Sequence, residues 1–162
     1  MFIFQDGRLA VKSEYPPLLA PGFHRVKEEE LAALFVDSFS SPDRRRRLLA
    51  RFHALIDHVR EWNIPCDVWI DGSFATEKPD PQDVDALFVF DGEAVNRASS
   101  ELHAAMSAVF GREGHRDTKL RYGCDAYMVI NQDEQTRSYW RGWFAFTRSD
   151  EPKGVPVLRV YP

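Results

Sequence analysis

Residues 69–90 read WIDGSFATEKPDPQDVDALFVF, two apolar runs joined by a polar loop with two prolines, and no other stretch constrains the fold as tightly. The first run ends at Gly72-Ser73. After residues 74–82, Asp83-Val84-Asp85 leads straight into a second run. Side chains alternate faces along an extended strand, so Asp83 and Asp85 project to one side, with Leu87 and Val89. Two carboxylates held that way form a hard, oxygen-only donor set, suited to Mg²⁺ or Mn²⁺ rather than zinc. A Gly-Ser turn at the end of the neighbouring strand offers bare N–H groups and a hydroxyl, which suit phosphate. Each half alone has a plain reading: Gly-Ser is a common turn, and Asp-x-Asp beside Pro and Gln is ordinary loop composition. A solvated loop accounts for Asp80 and Asp83 but not for Asp85 opening an apolar strand. Together the two halves outline a phosphate and magnesium site, and hence a nucleotide site, at adjacent strand ends.

The rest of the chain is expected to form one domain around this pair. At 162 residues with 44% hydrophobic and 13% aromatic content, it can bury a substantial core and is not a disordered sequence. The N-terminal MFIFQDGRLAV predicts a β-hairpin turning at Asp6-Gly7 rather than a leader, and no apolar run is long enough to span a membrane. Cys66 and Cys124 lack metal-ligand spacing and sit at apolar strand edges, which suggests buried thiols in a reducing cytoplasm. A net charge of −4 argues against nucleic-acid binding through bulk charge.

Hydrophobic periodicity predicts helices over 27–39 and 42–62, the second opened by Ser41-Pro42. Strands follow at 67–71, 84–90, 123–130 and 155–160, with helices at 94–109 and 133–142. The Pro-rich residues 15–22 read as a linker, and Asp91 and Asp117 fall in stretches that read as loops. The order predicts an α/β (α+β) domain with a small mixed sheet and flanking helices. Within the run Arg44-Arg45-Arg46-Arg47, Arg45 falls on the apolar stripe of its helix. A solvated helix end competes with an arginine sent towards phosphate or a strand-end carboxylate.

The signature Ile70-Asp71-Gly72-Ser73 followed by Asp83-Val84-Asp85 resembles that of the nucleotidyltransferase superfamily of the DNA polymerase beta type. Pro21-Gly-Phe-His24, Asp71–Lys78 and the turn Pro152-Lys153-Gly154 are also similar to a family of short bacterial nucleotidyltransferase-like proteins. The superfamily pattern implies a nucleotidyltransferase fold and a third carboxylate on a later strand. The candidate is Asp125 in GCDAYMVI, whose alternative role is that of an edge-strand charge.

What the resemblance implies is transfer of a nucleoside monophosphate from a triphosphate, ATP by default, to an acceptor hydroxyl of a tRNA end, a protein or a small molecule. Asp83, Asp85 and Asp125 would hold two Mg²⁺ ions, Gly72 and Ser73 the β- and γ-phosphates, and Lys78 and Lys153 would offset phosphate charge. Like charges raise one another's pKa, so Asp125→Asn is expected to leave the metal-free protein no less stable. One departure from the superfamily is Phe74-Ala-Thr-Glu-Lys78-Pro79 in place of Arg-Gly opening a helix, which predicts a stiff loop after at most one helical turn. Two other classes compete: a non-catalytic nucleotide- or protein-binding partner, such as half of a toxin–antitoxin pair, and an RNA-binding module using the arginines with Trp140 and Trp143.

Overall fold

The computed structural model describes residues 14–162 and, before them, the backbone of strands β1 (Phe4–Gln5) and β2 (Arg8–Leu9). These two strands pair antiparallel, and the expected turn at Asp6-Gly7 lies outside the described residues. Strand β3 (Gly22–Val26) leads into the helix expected over 27–39, which is helical without a break from 28 to 37 but of 3-10 form at Glu28–Glu30 and of widened π form at Ala33–Asp37. Helix α1 (Asp43–Arg60) buries Leu48, Phe52, Leu55 and Val59 on the expected stripe, together with Arg45.

Strand β4 (Cys66–Asp71) ends in a single 3-10 turn, Gly72–Ala75, which matches the stiff loop expected after the Gly-Ser. Strand β5 (Val84–Phe90) follows, and then three helices instead of one: α2 (Gly92–Asn96), α3 (Ser100–Phe110) and α4 (Gly114–Tyr122). Asp91 is not a loop acid but the cap of α2, accepting from Ala94 N–H at 2.8 Å, and Ser99 caps α3 in the same way. Strand β6 (Cys124–Ile130), helix α5 (Glu134–Phe144) and strand β7 (Gly154–Val160) complete the chain.

The five long strands form one mixed sheet in the order β3-β7-β4-β5-β6. Outer pairs β3·β7 and β5·β6 are parallel, whereas β7·β4 and β4·β5 are antiparallel. Alternation divides each strand between two cores. Val68, Ile70, Val84, Ala86, Phe88 and Phe90 face α1, α3 and α4; Trp69, Leu87, Val89, Val129, Val155 and Val157 face Phe144 and Trp140 of α5. Pairing of β4 with β7 stops at Trp69↔Val157, next to Pro156, which has no N–H to donate. Ile70 and Asp71 therefore pair with β5 alone before the chain turns at Gly72.

Candidate functional site

Register puts three acids in one row. Asp71 is opposite Asp85 across β4·β5, and Asp85 is opposite Asp125 across β5·β6. All three share the α5 face of the sheet with Trp69, Leu87 and Val129, and Asp83 stands one residue before β5. A cavity of about 730 Å³ opens over this edge. It is lined by each residue expected to hold metal or nucleotide: Gly72, Ser73, Lys78, Asp83, Asp85, Asp125 and Lys153.

Cations from two elements meet the row. Lys153 Nζ lies 2.7 Å from Asp71 Oδ1, and both side chains are nearly buried at 13% and 9% exposure. Lys153 is thus already in an ion pair with a carboxylate, a setting that sequence reasoning did not foresee for it. Lys119 Nζ, reaching over from α4, bridges Asp83 Oδ2 at 2.7 Å and Asp125 Oδ2 at 2.5 Å. Partial burial pulls its pKa down, but the two carboxylates outweigh that and hold the ammonium above its ordinary range. His115, also on α4, places Nε2 3.2 Å from Asp125 Oδ1 and Nδ1 3.1 Å from the Ala126 carbonyl, so both ring nitrogens face acceptors.

Asp85 is the exception. It has no ion pair among the described residues. Burial, then the charges of Asp83, Asp71 and Asp125, push its carboxyl up to about 7, with Lys119 only partly opposing. Burial also raises Asp71, against the pull of Lys153.

The oxygen-only donors and the uncompensated Asp85 suit a hard divalent cation. The side chains are not drawn together for one: among the described residues no group of three or more His, Cys, Asp or Glu converges as a metal site. The ammonium of Lys119 occupies the space between Asp83 and Asp125 instead. Metal loading at that point therefore requires Lys119 to give up at least one of these contacts.

The turn after β4 is fixed from both sides. Residues 16–18, expected as linker, strap it: Leu18 N–H donates to Ala75 O at 3.0 Å and Glu77 N–H donates to Pro16 O at 2.8 Å. From α1, the fully buried Arg45 donates to the carbonyls of Phe35, Phe74, Thr76 and Lys78 at 2.6–3.2 Å and stacks on Phe39. Arg44 reaches Pro81 O and Gln82 Oε1, and Arg46 pairs with Asp43 on the surface. None of these three goes to a strand-end carboxylate or into the cavity; two of them shape the loop that separates the motifs.

Gly72 has φ +70°, and a Cβ there would fall 1.7 Å from Asp85 Oδ2. Glycine is required on both counts, backbone conformation and close approach to the acid row. Gly72→Ala is expected to lose about 1–3 kcal/mol of stability, measured by chemical denaturation. A neutral result would mean that the turn relaxes freely away from Asp85.

Sequence reasoning missed Asp71, Lys119, His115 and the role of Arg45. Asp71 carried a readable signal, since it alternates with Trp69 just as Asp85 does with Leu87. Lys119 and His115 carried none, because α4 buries only Thr118 and Tyr122 and has no apolar stripe; Asp117, expected in a loop, lies exposed on this helix. Both cysteines are free and buried as expected, and burial raises the Cys66 thiol to about 12, leaving it unreactive. Among the described residues no helix is long and apolar enough to cross a membrane.

No curated protein and no solved structure matches the chain. One family model does, over residues 12–159, and it takes in the strap, the acid row, α4 and Lys153. The chain belongs to that family, DUF6932, described as a family of unknown function.

Proposed function

We propose that this protein is a metal-dependent nucleotidyltransferase that moves a nucleoside monophosphate from a nucleoside triphosphate, ATP by default, to an acceptor hydroxyl, with pyrophosphate leaving. The observation that carries this reading is the in-register row Asp71, Asp85, Asp125, with Asp83 beside it, at the mouth of the cavity that also holds the Gly72-Ser73 turn. Asp83, Asp85 and Asp125 would hold Mg²⁺ or Mn²⁺. When bound, the metal would act as a Lewis acid on the α-phosphate and lower the pKa of the acceptor hydroxyl. Ser73 and the N–H groups of its turn meet the terminal phosphates, and Arg45 keeps that turn rigid from behind. Lys78, half-buried at the cavity wall, offsets phosphate charge. Asp125, flanked by His115, accepts the acceptor's proton. The acceptor is a hydroxyl of a tRNA end, a protein or a small molecule, and the buried free thiols fit the reducing cytoplasm.

Incubation with each of the four α-labelled ribonucleoside triphosphates, Mg²⁺ and cell lysate tests this reading. Label should appear on a macromolecule or small acceptor with wild type and not with Asp85→Asn; equal labelling by both proteins would end it. Ser73→Ala is expected to keep the melting temperature and weaken triphosphate binding, read by calorimetry.

A second reading draws on Lys119. An ammonium already bridging Asp83 and Asp125 suits a partner protein that binds nucleotide or protein without catalysis, such as half of a toxin–antitoxin pair. Lys119→Met separates the two readings. If Lys119 yields to metal, the variant binds Mn²⁺ several-fold more tightly than wild type. If the ammonium is the permanent cation, the variant loses stability and gains no metal affinity.

A further inference from the structure

We propose that the aromatic wall of the same cavity, centred on Trp143, is a stacking platform for the base of the bound nucleotide; the proposal rests on the nucleotide reading above. Trp143 is 66% exposed, Phe146 43% and Tyr15 39%, and all three line the cavity that contains the acid row. Single exposed aromatics are ordinary surface features, but three lining one cavity opposite a charged edge are not. The platform has a firm base. Trp140, one turn back on α5, packs on Tyr127 at 4.6 Å and Phe144 at 5.6 Å between ring centroids, while Tyr139 stacks against Trp143 at 6.5 Å and 12°.

Gly142 gives an independent sign. It lies inside α5, where glycine is a poor helix former, yet a Cβ there would meet nothing within 4 Å. Packing does not require this glycine. It lines the cavity, and its missing side chain leaves that part of the wall open.

A ligand that satisfies both ends of the cavity carries a metal-chelated phosphate tail for the acid row and a flat, weakly polar ring for the aromatic wall. A nucleoside triphosphate has that form, and the volume of about 730 Å³ lies in the range of small-molecule sites. Every base presents a π-face, so recognition by stacking predicts tolerance among bases.

Calorimetric titration of wild type, Trp143→Ala and Gly142→Leu with the Mg²⁺ complexes of ATP, CTP and inorganic tripolyphosphate tests the platform. Trp143→Ala should weaken both nucleotides roughly tenfold and leave tripolyphosphate unchanged. Gly142→Leu should melt no lower than wild type, because leucine is the better helix former, yet lose nucleotide affinity by filling part of the cavity. Unchanged ATP affinity in both variants overturns the platform. So does wild type binding tripolyphosphate as tightly as ATP, an outcome that leaves the phosphate site standing. If wild type binds none of the three, the nucleotide reading itself falls and the platform with it. A Trp143→Ala defect confined to single-stranded RNA oligonucleotides, with mononucleotides unaffected, would assign the wall to RNA and also overturn the proposal.

Discussion

Replacing Arg45 with methionine is expected to lower the unfolding free energy by about 3–5 kcal/mol. The guanidinium is fully buried, yet it neutralises no carboxylate; its donors go to the carbonyls of Phe35, Phe74, Thr76 and Lys78. Burial lowers its pKa to about 10, so it stays charged at neutral pH. Methionine fills much of the space but strands those carbonyls away from water, and unpaired buried acceptors are costly. Lysine is no remedy, since a compact ammonium cannot reproduce the spread of a planar fork over four carbonyls. The melting temperature should fall on the order of 10 °C, and hydrogen exchange should quicken at Leu18 and Glu77, whose N–H groups make the hydrogen bonds between strap and loop. A loss below about 1 kcal/mol would mean that water replaces the guanidinium, and that the turn does not depend on α1.

The second large effect concerns Asp85. In metal-free buffer Asp85→Asn should raise stability by about 1–2 kcal/mol at pH 7.5 while abolishing transfer. The sign follows from the raised pKa. The folded protein holds a proton on Asp85 up to about pH 7, whereas the unfolded chain releases it near the ordinary 3.8. Between those values the native state binds more protons, so wild-type stability falls as pH rises from about 4 to about 7. The asparagine variant lacks this contribution, so its advantage should be full above pH 7 and vanish below pH 4. Denaturation series at pH 4, 5.5 and 7.5 in the presence of EDTA measure this directly. An advantage independent of pH would point to packing rather than charge.

This prediction differs from the expectation from sequence. Charge repulsion alone assigned relief to Asp125→Asn, but Asp125 has Lys119 and His115 beside it. Removing its charge takes one of Lys119's two carboxylate partners, so that variant should be slightly less stable than wild type without metal. Relief belongs to Asp85, the acid with no ion pair.

The reason for this difference marks how far the sequence could be read. Asp83, Asp85 and Asp125 were legible because each adjoins a strand whose alternation is clear, and the structure brings them to one edge as that alternation requires. The mixed sheet was legible too, since apolar strands separated by helical stripes leave few arrangements. Strand β3 was not, because GFHRV at a sheet edge is largely exposed and shows no apolar run. Helix α4 was invisible for a related reason, and it holds the two side chains, His115 and Lys119, that contact Asp125. Arg45 was placed on the apolar stripe, but its partners are backbone carbonyls, which carry no side-chain signature.

We propose that the acid row is a divalent-cation site completed by nucleotide. Calorimetric titration of Mn²⁺ into wild type and Asp85→Asn, each with a non-hydrolysable ATP analogue present, tests it most directly. The account predicts saturable binding to wild type and at least a tenfold weaker isotherm for Asp85→Asn, equal to a loss of about 1.4 kcal/mol or more. Equal affinities in the two proteins would contradict it, and would leave the row a structural feature of the strand ends.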